Sequence, residues 1–257
     1  MKLFFVTAAA SVLLLGGCAQ NPYPPLPEMA AAYTADPVLM DGKLDEKAWK
    51  QATVYELATA REAWNNRHPE LRAVYGAKPV SPGKVRLLWD KEYLYVGAEF
   101  QDDDIVAEGT KDQQMHCNLG DVLEVFLKPA GANHYWEIHI SPANYQIVLF
   151  YPGRGHHLLP SVIPEKKPLN VKSAITLDGT LNRSADFDRA WAAEVAIPLS
   201  ELGLKGVPLD GKNDWEILIG RYNYSCHQKV KELSSFPELR FFDFHSHEEY
   251  APLKLKE

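Results

Sequence analysis

The chain has 257 residues, 46% apolar and 24% charged, the balance of an ordinary globular protein. That excludes a disordered tail protein, a collagen-like fibre and a multi-pass membrane protein. The 27 basic residues are outnumbered by 34 acidic ones for a net charge of −7, and no Lys/Arg block exceeds two residues. Binding to a phosphate backbone needs a basic face, so nucleic acid is excluded as a partner.

In chain order, Lys2 precedes an apolar run from Leu3 to Leu15 that ends in Gly16-Gly17-Cys18. The run is shorter than the ~20 residues a permanent spanning helix needs, so residues 1–17 read as a signal peptide. Small residues directly before Cys18 resemble the lipobox of bacterial lipoproteins, which implies that Cys18 is lipidated and opens the mature chain. Ala19, rather than Asp, follows that Cys; by the same resemblance the protein is an outer-membrane lipoprotein, with its leaflet open. Residues 18–36 then form a lipidated, Pro-rich tether, extended through Asn21 to Pro27.

Residues 37–257 read as one all-β domain. Val85, Leu87 and Trp89 alternate with Lys84, Arg86 and Leu88, and a turn at Asp90 leads into a strand from Tyr93 to Phe100. Further strands are expected at Asp121–Lys128, Tyr135–Ser141, Tyr145–Tyr151, Val171–Leu177, Trp191–Ile197, Trp215–Tyr224 and Tyr250–Leu255, separated by turns such as Gly131-Ala132-Asn133 and Asp178-Gly179. This pattern predicts an antiparallel, jelly-roll-like β-sandwich with one or two short helices, at Asp45–Gln51 and Ser200–Leu204. Trp49, Trp89, Trp136, Trp191 and Trp215 are expected in the core.

One register follows from the pattern alone. Folding 121–128 onto 135–141 pairs Leu127 with Trp136, Val125 with Ile138 and Leu123 with Ile140 on a core face. A one-residue slip would expose all six. The opposite face then sets Glu124 across from His139 and Phe126 across from Glu137, and the next strand lays Ile147 beside His139. A face mixing carboxylates, an imidazole and apolar walls is either a ligand surface or a second, partly buried layer.

The opening Asp41-Gly42-Lys43-Leu44-Asp45-Glu46-Lys47-Ala48-Trp49, the stretch Val85 to Val96 with its Leu88-Trp89-Asp90, and Asp121-Val122-Leu123-Glu124-Val125-Phe126-Leu127 together resemble the family-9 carbohydrate-binding modules. The match runs from about Pro37 to Leu255. It implies a sandwich that binds a poly- or oligosaccharide, performs no chemistry, and serves a glycan-degrading enzyme as its partner. By that resemblance Glu124 hydrogen-bonds sugar hydroxyls and His139 joins it from the next strand. One aromatic wall of the family's slot falls on Asn118; the other falls among Phe241, Phe242 and Phe244, with Trp64 as a replacement for the missing wall. Arg154, Arg221 and Tyr222 add the guanidinium and aromatic groups that sugar hydroxyls and C–H faces require. For the Tyr222 strand and the Arg154 loop, a core role and a solvated loop are the competing readings.

Asp102 and Asp104 in the run Asp102-Asp103-Asp104 offer carboxylates to Ca²⁺, against the reading of a solvated turn. Cys117 and Cys226 read as free thiols, with a disulfide as the alternative. With His116 and His227 beside them, they lack the paired spacing of a zinc finger or ribbon. Two other classes stay open: a glycosidase or lyase using Glu124 and Glu137, and a haem-binding electron-transfer domain using Met115 and His139.

Overall fold

The computed structural model describes residues 25–62, 78–154, 164 and 166–257. The strands are β1 (Met29–Tyr33), β2 (Tyr55–Glu56), β3 (Gly83–Trp89), β4 (Tyr93–Gln101), β5 (Val122–Pro129), β6 (Tyr135–Ile140), β7 (Gln146–Tyr151), β8 (Lys172–Asp178), β9 (Ala190–Pro198), β10 (Trp215–Asn223), β11 (Glu232–Phe236) and β12 (Ala251–Lys256). Two short helices, α1 (Lys47–Gln51) and α2 (Leu199–Leu202), lie where expected. The strands join in the order β7-β6-β5-β10-β12-β1-β3-β4-β9-β8, with β11 added to β10 and β2 to β3. The result is a curled, sandwich-like all-β fold.

Three strands escape the sequence pattern. β1 lies inside the stretch expected to be tether, yet Met29 and Ala31 are fully buried, so the folded unit begins before Pro37. Its Met-Ala-Ala-Ala-Tyr sequence has weak β propensity, and pairing on both sides decides its conformation. It runs parallel to β12 and to β3, which departs from the purely antiparallel expectation and joins the two halves of the sheet. β2 is too short to show a period, and β11, Glu-Leu-Ser-Ser-Phe, is polar.

The core lies between the halves, where Val85, Leu87, Val96 and Val195 meet Leu123, Val125, Leu127, Trp136, Ile138 and Ile219. Trp49, Trp136, Trp191 and Trp215 are buried as expected, and Trp89 is half-buried against the main core. The expected hairpin register holds throughout, with Glu124 opposite His139 and His139 opposite Ile147.

Both outer faces are covered as well. Trp49, from the segment before β2, packs with Leu88, Tyr95 and Ala196. Its motif acts as a latch: Glu194 on β9 accepts from the backbone N–H of Asp41 (3.0 Å) and Gly42 (2.8 Å) and from Trp49 Nε1 (2.9 Å). Gly42 is required there, because its φ is +82° and a Cβ would come within 2.6 Å of the Ile175 backbone. On the other side Leu239, Phe244 and Tyr250 close over Phe126, Tyr135, Ile147 and Leu218.

Candidate functional site

The Glu124–His139 face proves to be the second, buried layer rather than an open surface. Its exposures are 2% for Glu124, 0% for His139 and 5% for Glu137. His139 Nε2 lies 2.6 Å from Glu137 Oε1 and 3.2 Å from Glu124 Oε1, so one imidazole bridges two carboxylates. Burial pushes the Glu124 pKa up to about 7. For His139, burial works against the charged form, but Glu124 and Glu137 outweigh it and the pKa is raised. Burial also opposes ionisation of Glu137, yet its hydrogen bond with His139 holds its pKa below the usual carboxylate range. Burial, with Glu124 and Glu137 nearby, pushes the Cys117 thiol up to about 12.

This arrangement differs from an open pair of carboxylates flanking a glycosidic bond, because Glu124 and Glu137 are sealed and share a histidine. It also leaves no face of His139 open to a macrocycle.

The other expected site residues scatter. Asn118 is exposed on a short 3-10 turn at 116–118, and Phe244 is buried against Phe126 and Tyr222. Tyr222 is half-buried beneath Lys231, whose ammonium sits 4.6 Å over the ring. Trp64 lies outside the described residues. Arg221 is a core residue. It is 0% exposed and donates to the carbonyls of Ser81 (2.7 Å) and Gln101 (2.8 Å), to Asp102 (3.0 Å) and to Asn223 (2.6 Å).

Asp102 and Asp104 are likewise buried latches and not a solvated or ion-collecting turn. Asp102 accepts from Arg221 and from Trp191 Nε1 (3.1 Å), and Asp104 accepts from the Cys226 backbone N–H (2.7 Å). Cys117 and Cys226 are unbridged. Cys226 is exposed beside His227, whereas Cys117 lies near Glu124 and His139, a convergence that sequence spacing did not signal.

Arg154 is placed more usefully. It pairs with Glu248, and Glu248 lines an open groove of about 680 Å³. That volume is within the ~300–1,000 Å³ range of small-molecule sites. Its lining includes Glu56, Arg61, Phe236, Glu238, Arg240 and Glu249. Arg61 Nη2 lies 3.6 Å from Glu249, and Arg240 pairs with Glu62 at 3.0 Å and stacks on Phe241 at 4.8 Å. Glu56 and Glu238 are exposed and have no ion pair among the described residues. Sequence reading missed this groove because its residues come from several separate places, chiefly residues 25–27, short β2 and the segment after it, and polar β11 and the loop after it, none of which has a recognisable period.

Residues 40–148 match the family profile described as carbohydrate family 9 binding domain-like. No curated protein matches the chain. In structure it is similar to a proposed carbohydrate-binding protein from Bacteroides uniformis, at 13% identity and a TM-score of 0.61, covering 90% of this chain and 99% of that one. It is also similar to a family 9 carbohydrate-binding module from Caldicellulosiruptor kristjanssonii solved with cellotriose, at 15% identity, TM-score 0.55 and coverage of 89% and 93%. The same organism's family 9 module solved with glucose gives 16% identity, TM-score 0.55 and coverage of 89% and 95%. The chain therefore has the fold of the family 9 carbohydrate-binding modules, and its residues 40–148 carry that family's sequence pattern.

Proposed function

We propose that this protein is a non-catalytic carbohydrate-binding protein, held in the bacterial envelope by lipid on Cys18, that takes an oligo- or polysaccharide in support of its breakdown. The observation that carries the reading is the open groove, where Phe236, two guanidiniums and the carboxylates of Glu56 and Glu238 converge. Sugar hydroxyls donate to carboxylates and accept from guanidiniums, while the apolar face of a pyranose ring lies on an aromatic. Ion pairs through Glu249 and Glu62 hold the guanidiniums in place before a ligand arrives. The family 9 match and the sugar complexes of similar folds support the same reading. A degrading enzyme as partner and an outer-membrane address follow from the lipobox and the family resemblance. Among the described residues no helix is long and apolar enough to cross a membrane.

The test is a glycan array on the full chain, followed by calorimetry on Glu56→Gln/Glu238→Gln. Each lost charge-assisted hydrogen bond is worth ~1.5 kcal/mol or more, so affinity is expected to fall at least ~10-fold while the melting temperature is unchanged. An array without a single bound glycan overturns the function. Unchanged affinity in the double variant overturns the groove, and loss of binding in a folded Glu124→Gln variant would place the sugar at the buried pair. Cys18→Ser is expected to abolish acyl labelling and detergent-phase partition; a variant that stays labelled refutes the anchor.

A further inference from the structure

The buried end of the β5–β6 pair holds a cluster that the groove does not use. Cys117, Glu124 and His139 each place one ligand-type atom within 4.8 Å of the other two. Glu137 holds His139 Nε2 at 2.6 Å, and Nδ1 of the same fully buried ring has no partner among the described residues. A hydrogen-bonded Glu–His–Glu triad would account for Nε2 but not for the unpartnered nitrogen or the converging thiol. His116, next to Cys117 in sequence, is 1% exposed, and neither of its ring nitrogens has a partner among the described residues. Two carboxylates share one imidazole here, and Lys231 is engaged with Tyr224 Oη at 3.1 Å.

We propose that Cys117, Glu124 and His139 form a binding site for a divalent transition-metal cation of the zinc type, with Glu137 orienting the histidine. The donor set decides the class. Thiolate, imidazole and carboxylate suit zinc, whereas calcium and magnesium require all-oxygen shells. Zinc bonds of ~2.0–2.3 Å set ligand atoms roughly 3.3–3.8 Å apart, within the compass of this cluster. Glu137 keeps Nε2 and leaves Nδ1 for the ion, as in carboxylate–histidine–metal sites, and Glu124 gives up its own 3.2 Å contact with Nε2 to reach the ion. Three protein ligands leave the fourth tetrahedral position to water. Cys117, half-buried beside exposed Asn118, provides the approach. On binding, the thiol gives its proton to solvent.

The experiment uses the full chain carrying Cys18→Ser/Cys226→Ser, so that Cys117 is the sole thiol, after removal of metal by a chelator. Cobalt(II) is the probe. One equivalent is expected to produce a thiolate-to-cobalt charge-transfer band and tetrahedral ligand-field bands, both displaced by zinc. Adding Cys117→Ser is expected to abolish the charge-transfer band and weaken binding by more than ~100-fold, with a far-ultraviolet spectrum like that of the parent. Glu137→Gln should weaken cobalt binding by ~10–100-fold and retain the band. If Cys117→Ser does not fold, alkylation of Cys117 in the folded parent replaces it, and zinc is then expected to protect the thiol. Absence of the band in the parent, a band that survives loss of Cys117, or equal alkylation with and without zinc overturns the proposal.

Discussion

Replacing Arg221 tests the conclusion that it is a structural residue rather than a sugar ligand. Its guanidinium and the Asp102 carboxylate are both 0% exposed, 3.0 Å apart, with Phe100 stacked at 4.7 Å. Arg221→Met preserves length and packing but leaves the carbonyls of Ser81 and Gln101 and one side of Asp102 without a donor. Burial already raises the Asp102 pKa against the pull of Arg221, so without the guanidinium that carboxyl takes up a proton or stays charged at high cost. Breaking one side of a buried pair costs ~3–5 kcal/mol. For a domain of this size each kcal/mol is worth ~2–4 °C, so the melting temperature should fall by roughly 6–20 °C at pH 7. Adding Asp102→Asn removes the stranded charge and keeps an acceptor for Trp191, and should recover part of the loss. Calorimetric melts of the parent, both single variants and the double variant close the cycle. An Arg221→Met protein melting within ~2 °C of the parent, or a double variant with no recovery, refutes the reasoning. A sugar-gripping arginine would show the reverse: weakened glycan binding and an almost unchanged melt.

Two further perturbations follow from the same geometry. Glu194→Gln keeps one acceptor oxygen for the Asp41 and Gly42 N–H groups but turns an amide toward Trp49 Nε1; the expected loss is about 2 kcal/mol with a red-shifted tryptophan emission, and an unaltered spectrum and melt would argue against the latch. Burial first, and then Lys128 and Arg154, push the His247 pKa down to about 4 from 6.5. The unfolded chain therefore binds more protons between those values: the stabilisation is complete above ~6.5, is lost as pH falls toward 4, and amounts to ~2 kcal/mol after allowance for partial exposure. His247 packs on Tyr135 and precedes Glu248 and Glu249 of the groove, so acid should loosen the groove wall and weaken glycan binding. His247→Gln is expected to flatten the melting profile between pH 7 and 4.5; an equally steep profile in the variant would assign the acid loss to other groups.

The hairpin of β5 and β6 was legible because six apolar side chains share one parity, and only one register buries them all. The same argument placed Glu124 across from His139, since the opposite face follows from the first by alternation. It could not reveal what lies over that face. The cover comes from Leu239 to Tyr250, far along the chain from the hairpin and in a stretch with little periodicity. A carboxylate on a strand therefore reads identically whether it meets a ligand, a backbone N–H or an arginine.

This chain uses the second and third options repeatedly. Glu194 receives Asp41, Gly42 and Trp49; Asp121 receives the N–H groups of Val106 and Tyr224; Glu232 receives those of Val80 and Ser81; Asp102 receives Arg221. Each ties together segments distant in sequence, and Glu194, Asp121 and Glu232 supply acceptors for backbone donors that would otherwise be buried without partners. The motif acids Asp121 and Glu124 illustrate the limit of motif reading: three residues apart and on opposite faces, one is fully engaged in holding two loops, while the other reaches only an imidazole. Glu56 and Glu238 in the groove and Glu124 beside Cys117 do no such work. Those two places have the free acceptors that the proposed ligands need, a sugar in the first and a metal ion in the second.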